Sequence, residues 1–378
     1  MPLRNGVSYP ATMRGAGTSM INMKEIFAYD RIGDQECELV PLSAAERESY
    51  LLEAGDLLFA RQSLTFEGAG KCVLVLQSAH DRTWESHLIR VRLNAEKAFS
   101  GFYYYYFRSP QGRLSIESIV QQVAAAGIRG SDLRKLQVPY IAIWEQRAIA
   151  EVLGALDDKI AANAKLIQTA DTLIKAKFDR MLDDAENVPL TSVAQFINGK
   201  AFAKDATGTG RVVIRIAELN SGIGGSTVYN NIDVPEKHVA RPGDLLFAWS
   251  GSLTLHRWFR PEAIVNQHIF KVIPLNGYPI WCAYGLIARK LDEFKAIAAG
   301  KATTMGHIQR RHLDELVDVP ARSAIECCNT LMTTLWNRAL LAEQESLILA
   351  ATRDALLPQL MLGKIRVRDA AKTVEGAL

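Results

Sequence analysis

The chain has 378 residues, 48% apolar and 22% charged, with a net charge of +3 at neutral pH. That is long enough for two domains that each bury a core, and the composition is ordinary for a soluble globular protein. No apolar run approaches the ~20 residues of a membrane helix, no secretory signal pattern opens the chain, and Cys37, Cys72, Cys282, Cys327 and Cys328 lack metal-type C-x-x-C spacing, which reads as reduced cytosolic thiols.

In chain order, the first strong feature is the hexapeptide Gly-Asp-Leu-Leu-Phe-Ala at Gly55–Ala60. Its Gly-Asp pair predicts a tight turn feeding a buried strand. Val73–Leu76 and Leu88–Val91, rich in β-branched and apolar residues, predict further strands. Phe102–Phe107 predicts an amphipathic helix. Its four tyrosines, Tyr103–Tyr106, suit either a stacking platform for bases or a helix that buries some rings and exposes others. The segment that follows Pro139, to about Leu182, has no proline and one glycine. Apolar or small residues recur there at steps of three and four: Ile149, Val152, Leu156, Ile160, Ile167, Ala170, Ile174, Phe178 and Met181. This predicts one long helix with a heptad-like stripe, interrupted by Asn163, either to fix register or at a tolerated edge position.

The whole series then repeats. The hexapeptide recurs at Gly243–Ala248, and Ser-Leu-Thr follows both copies, at Ser63–Thr65 and Ser252–Thr254. Asn5-Gly6 matches Asn198-Gly199. Ile21, Met23, Glu25 and Ile26 match Ile214, Ile216, Glu218 and Leu219. His87–Val91 matches His268–Val272, Leu133 and Leu136 match Leu313 and Leu316, and Val138-Pro139 matches Val319-Pro320. Val212–Ile216 and Ile269–Ile273 predict the corresponding strands. An ordered series with slowly drifting offset indicates two diverged copies of one domain. A second long helix follows Pro320, with Leu331, Leu335, Leu347, Ala351, Ala355, Leu356 and Leu360 in a looser stripe and Pro358 expected to kink or end it. A helix of about 39 residues is a rod of roughly 58 Å. Each rod is the other's obvious partner, and antiparallel pairing would place the globular units at opposite ends.

The expected fold is therefore α+β: two homologous mixed domains, each followed by a long helix, the helices forming an antiparallel coiled coil with pseudo-twofold symmetry. The expected boundaries are 1–140 and 189–320 for the domains, 141–188 and 321–368 for the helices, and 369–378 for a tail. Residues 141–188 carry 6 basic and 9 acidic residues, a net −3, whereas 189–320 carry 15 and 11, a net +4. Nucleic acid would be met by the globular parts, not by the first long helix. The loops after the hexapeptides are the candidate readers: Arg61, Gln62, Ser63 and the nearby Lys71 in one copy, and Trp249, Ser250, Ser252, His256, Arg257 and Arg260 in the other. A second pair of loops adds Arg129, and Thr304, His307, Arg310 and Arg311. Basic residues among polar and aromatic ones suit phosphate contact with base-edge reading, although a solvated loop has the same composition. A shared scaffold with divergent loops lets one fold read two ligands.

Taken together, and twice in the same order, these segments resemble the specificity subunit of type I restriction–modification systems over about residues 5–368. The resemblance rests on both hexapeptides; on Thr304-Met305-Gly306-His307-Ile308 with Leu313 and Val319-Pro320; on Glu145–Ala150 with Leu156–Ile160 and Asn163; and on Arg353–Leu360 with Gly363-Lys364-Ile365. It implies two target-recognition domains, each reading half of a split double-stranded DNA target. It implies a coiled coil, carried by Ile149, Val152, Leu156, Ile160, Asn163, Ile167, Ile174, Leu331, Leu335, Leu347 and Leu356, that sets the spacer. That coiled coil would recruit two modification subunits, which bind S-adenosylmethionine and methylate adenine. Restriction subunits, using ATP and magnesium, can join. This chain itself would bind no cofactor and catalyse nothing. It contains no Asn/Asp-Pro-Pro-aromatic tetrapeptide, no phosphate-binding loop and no nuclease-like Asp…Glu-x-Lys set, and Gly222-Ile223-Gly224-Gly225 reads as a turn. His87 and His268 recur at matched positions, which suits a structural or DNA-facing role. The rival reading is a coiled-coil scaffold whose globular units bind proteins or peptides.

Overall fold

A computed structural model of the protein describes residues 2–122, 125–204, 206–300 and 306–376. The chain forms two compact units, Met1–Lys159 with Leu349–Leu378, and Ile160–Ile348. Each long helix, Ile143–Arg180 and Arg322–Met361, contributes to both.

In the first unit, the hexapeptide strand Leu57–Ala60 lies between Leu88–Val91 and Cys72–Val75, antiparallel to both, and Leu3–Asn5 extends the sheet beyond Leu88–Val91. In the second, Leu245–Ala248 lies between Ile269–Pro274 and Thr254–Arg257, again antiparallel to both, with Ala194–Asn198 beyond Ile269–Pro274. The duplication holds residue by residue. Leu58 faces Arg90 and Leu246 faces Lys271; Ile21 runs parallel to Trp84 in one smaller sheet and Ile214 to Val265 in the other. All four residues of each hexapeptide strand are buried, which is why the segment reads as a continuous apolar run rather than an alternating one.

The Gly-Asp pair builds the turn as expected, by the same device in both copies. Gly55 and Gly243 sit at φ +91° and +97°, a region that disfavours any side chain. The Asp56 carboxylate accepts from the Glu53 backbone N–H at 2.8 Å, and Asp244 from that of Arg241 at 2.7 Å. Each carboxylate also meets a cation, Arg92 at 2.7 Å and Lys271 at 2.9 Å. The repeated Asn-Gly pair has a different cause. A Cβ on Gly6 would lie 2.0 Å from the Trp84 carbonyl oxygen, and one on Gly199 would lie 2.1 Å from that of Asn266. The chain crosses a strand end too closely for any side chain.

The helix Ser100–Arg108 buries all four consecutive tyrosines, which removes the stacking-platform reading and also the expected exposed rings. It is covered on all sides, so the 3.6-residue period has no solvent face to mark. Phe107 packs edge-on against Phe59 of the hexapeptide strand, while Tyr105 donates to Asp157 of the long helix at 2.7 Å.

Along the first long helix the buried positions include Ile149, Leu153, Leu156, Asn163, Ala170, Ile174 and Phe178, while Val152, Ile160 and Ile167 are half-buried. The Asn163 amide donates to Glu345 at 2.7 Å and to Ser346 at 3.3 Å, so this polar seam position holds a specific partner on the second helix. Within the second unit the helices run antiparallel: Ile174 and Phe178 share a core with Ile325 and Met332, whereas Asn163 meets Glu345. The stripe expected on the second helix holds only at its C-terminal end, where Leu356 and Leu360 are buried. Leu331 is 44% exposed, Leu335 and Leu347 are half-buried, and Ala351 and Ala355 face solvent; the buried set is Ile325, Met332, Trp336, Ala339, Ala342, Leu349, Leu356, Leu357 and Leu360. Leucines lie on several faces of this helix, and the small residues Ala339 and Ala342 that carry the seam give a weak apolar signal. Pro358 does not end the helix, which continues to Met361. Termination comes at Gly363, where the N–H of Lys364 reaches back to the Gln359 carbonyl at 2.9 Å and that of Gly363 to Leu360 at 3.1 Å. Nor is 369–378 a tail: Val367–Glu375 is a helix that buries Ala370 and Val374.

Gly199→Ala should lower stability by about 1–3 kcal/mol, the usual cost of forcing an extra carbon into a packed site. Gly224→Ala, where an added Cβ meets nothing within 4 Å, should leave it unchanged. Thermal melts of the two variants check the contrast, and equal melting temperatures would contradict it.

Candidate nucleic-acid interface

Each hexapeptide strand runs straight into a candidate reading loop, and the same backbone frame receives both. In the first unit the Arg61 N–H donates to the His87 carbonyl at 2.8 Å, and the Arg61 carbonyl accepts from the Ile128 N–H at 2.9 Å. In the second, Trp249 donates to His268 at 3.1 Å and accepts from Ile308 at 3.1 Å. One residue further on, Gln62 pairs with Gly127, and Ser250 pairs with His307. The matched histidines thus serve the frame through their carbonyls. Arg61 and Trp249 are structural equivalents, chemically unlike, at one place in the fold.

Around this frame the first unit gathers Arg61, Gln62, Ser63 and Arg129. Gln62–Ser63 forms an edge strand of a small sheet with Ala126–Gly127 and Gln121–Gln122. Gln62, Gln121, Gln122 and Arg129 are exposed and Arg61 is half-buried. Gln121 and Gln122 are new members of the set; their only sequence signal is two adjacent amides. Lys71 stands apart from the freely solvated cations, 3.3 Å from Asp30 and over the Phe27 ring.

The second unit brings together Trp249, Ser250 and His307. The Trp249 indole is held in place: it stacks on Phe270, with centroids 5.7 Å apart, and donates to Asn198 at 2.8 Å. Ser250 is buried beneath it, Ser252 is exposed, and Arg310 and Arg311 are exposed on the turn Arg310–Leu313. Thr304 lies outside the described residues. His256 is half-buried on Thr254–Arg257 and pairs with Thr254. Arg260 is half-buried against Phe259, and burial lowers its pKa.

Arg257 requires a correction. It is not a DNA contact but a buried clamp, 6% exposed. Its guanidinium meets Glu343 at 2.9 Å and Asp171 at 3.4 Å and lies over the Trp336 ring at 4.4 Å. One side chain of the sheet therefore holds both long helices. Its position among Leu-His-Arg-Trp gave no hint of this, because the two acids lie 86 residues away on either side in sequence. Burial raises the carboxyl pKa of both Asp171 and Glu343, against the pull of Arg257.

Four of the nine acids of residues 141–188 are engaged in the same way. Asp157 receives Tyr105 and Arg353, Asp158 receives Arg31, Asp171 receives Arg257, and Asp179 receives Arg289. These acids bind this chain's own residues, so the helix's net charge is not in itself the mark of a partner surface.

No family model matches the chain. In sequence it is 21% identical, over 314 residues, to the type I restriction enzyme MjaIX specificity subunit of Methanocaldococcus jannaschii, covering 71% of this chain and 70% of that one. In structure it superposes on the S subunit of the type I restriction–modification system of M. genitalium with a TM-score of 0.58 at 16% identity, covering 95% of this chain and 92% of that one. The fold is that of a type I specificity subunit. In this specificity-subunit fold the two frames place chemically unlike residues, Arg61 and Trp249, at equivalent positions.

Two consequences are measurable. Arg257→Ala leaves two half-buried carboxylates without their cation and should destabilise the protein by less than the about 3–5 kcal/mol of a fully buried pair; adding Glu343→Gln should recover part of that loss in a denaturant titration, and no recovery would contradict the clamp. His238 is buried with neither ring nitrogen hydrogen-bonded to a described residue, and burial, then Lys200 and Lys237, lower its pKa; burial alone lowers that of His256. Unfolded histidine takes up its proton near pH 6.5, before the folded ones do. Stability should therefore fall as pH drops from about 7 through 6.5 toward the folded values, and His238→Phe should flatten that slope.

Proposed function

We propose that this chain is the DNA sequence-recognition subunit of a type I restriction–modification complex. The observation that carries the proposal is the repeated frame: one backbone geometry presents Arg61 with Gln62 in one head and Trp249 with Ser250 in the other. A split target needs this arrangement, with two readers of common descent and different specificity. Residues 1–140 and 189–320 are the two target-recognition domains. Arg61, Gln62, Ser63, Lys71 and Arg129 serve one half-site; Trp249, Ser252, His256, Arg260, Thr304, His307, Arg310 and Arg311 serve the other, while Ser250, also expected as a reader, is 3% exposed and belongs to the frame. Exposed cations such as Arg129, Arg310 and Arg311 supply phosphate contacts that set register, and the amides, hydroxyls and histidines address base edges.

The helices 141–188 and 321–368 pair to set the spacer between half-sites and recruit two modification subunits. S-adenosylmethionine belongs to those subunits, and ATP with magnesium to restriction subunits where these join. The chain is the non-catalytic, cofactor-free member of a cytoplasmic complex.

Methylome sequencing of cells carrying the assembled system tests this. A bipartite methylation motif is expected. Inserting about one heptad into both helices should change the spacer and leave both half-sites as they were. Altered half-sites with an unchanged spacer would overturn the proposal.

A further inference from the structure

The loop between the hexapeptide strand and the next strand of its sheet spans residues 61–71 in the first unit and only 249–253 in the second. Ser-Leu-Thr lies within the first loop and ends the second, its threonine opening the next strand, yet the two leucines have opposite fates. Leu64 is 100% exposed and Leu253 is 5% exposed, packed in the core of its unit. The shared frame shows why. Counted from Arg61 and Trp249, the tripeptides are one residue out of step, so Leu64 occupies the place of Ser252. Both places lie in bends that follow the frame, and the loops then diverge in length, which leaves one leucine in solvent and the other in the core.

A lone exposed leucine is ordinary on a protein surface. This one is held out by a loop built to keep its shape. The Thr65 N–H donates to the Ser63 hydroxyl at 3.1 Å, and the Gly68 N–H to the Thr65 hydroxyl at 3.2 Å. Arg113 binds the Phe66 and Ala69 carbonyls at 3.0 and 2.8 Å, anchoring the base of the loop. Only one acid, Glu67, lies within it. Directly before Leu64, the small sheet aligns Gln62, Gly127 and Gln121 in one row across its three strands. A Cβ on Gly127 would lie 3.6 Å from the Gln62 side chain, so the glycine makes room for it; the strands that carry the two exposed glutamines stand two spacings apart, about 10 Å, or roughly three base-pair rises of 3.4 Å. Amides of Gln pair with adenine in the major groove, and an apolar side chain there meets the thymine methyl.

We infer that Leu64 is a specificity-determining residue of the first head, reading an A·T pair by packing on the 5-methyl group of thymine beside adenines addressed by Gln62 and Gln121. This rests on the proposed DNA-recognition function and adds the base class and the residue. In the second head Ser252 holds the equivalent place, so that head makes no such apolar contact there.

The test uses the complex assembled with its modification subunits and a duplex carrying the bipartite motif defined by methylome sequencing. Each thymine of the first half-site is replaced in turn by deoxyuridine, which lacks only the methyl group, and affinity is measured by competition. At one position the wild-type complex should bind about fourfold more weakly, the equivalent of about 0.8 kcal/mol for one methyl-sized group. Leu64→Ala should bind the two duplexes equally. Leu64→Met should restore the preference, and Leu64→Ser should not. Deoxyuridine in the second half-site should act alike on all four proteins. Identical deoxyuridine profiles for wild type and Leu64→Ala, or a first half-site without an A·T pair, would overturn the inference while leaving the recognition function standing. A wild-type complex that fails to distinguish its bipartite duplex from a scrambled one would overturn both.

Discussion

Both units depend on a four-residue apolar strand that is buried on both faces and hydrogen-bonded along both edges. Leu57–Ala60 and Leu245–Ala248 each have an antiparallel neighbour on either side. No side chain in them reaches solvent, so neither strand can be moved or slipped without displacing the sheet around it. The tight turn before each strand sets its start, with a glycine in the left-handed region and an aspartate closing on the backbone three residues earlier. The end is set by the frame that receives Arg61 or Trp249. A position fixed so firmly by its surroundings can change side chain without changing place, and reading two half-sites with one fold requires that property.

A second constraint acts on the first long helix within each unit. Carboxylates on the first long helix are met by cations and a tyrosine from the same unit: Asp157 by Tyr105 and Arg353, Asp171 by Arg257. Buried ion pairs add little net stability, because desolvation offsets the attraction, but an unpaired partner is costly. They therefore select one arrangement over others rather than tighten it. Arg257 is the strongest case, since a single guanidinium between Asp171, Glu343 and Trp336 holds a sheet edge against two helices. Asn163 does the same between the helices, where an apolar residue would tolerate several registers.

Much of the fold was legible because duplication puts the same physical demands into the chain twice. The Asn-Gly pairs mark two places where a strand carbonyl excludes any Cβ, and the Gly-Asp pairs mark two turns of one construction. The heptad stripe of the first helix was readable from its branched residues. That of the second was readable only at its end, at Leu356 and Leu360, since earlier Trp336, Ala339 and Ala342 carry the seam while Leu331 faces outward. The tyrosines misled for a related reason: a helix covered on every side leaves no periodic signal.

The candidate interface divides in the same way. Which loops to examine followed from the repeat alone, because a conserved scaffold with divergent connections is visible as a pattern of letters. Which residues within them face outward did not. Arg257 and Arg310 are alike in sequence, yet one is enclosed by two carboxylates and the other stands in solvent. Leu64 and Leu253 sit in the same tripeptide and point to opposite sides of the fold. The sequence by itself determined the duplicated architecture, its turns and its buried strands, since these arise from local backbone limits and from burial repeated along the chain. Only the tertiary structure decided which charges and which leucine remain free to meet a partner, because exposure depends on long-range packing and on the course of loops that a shared tripeptide does not fix.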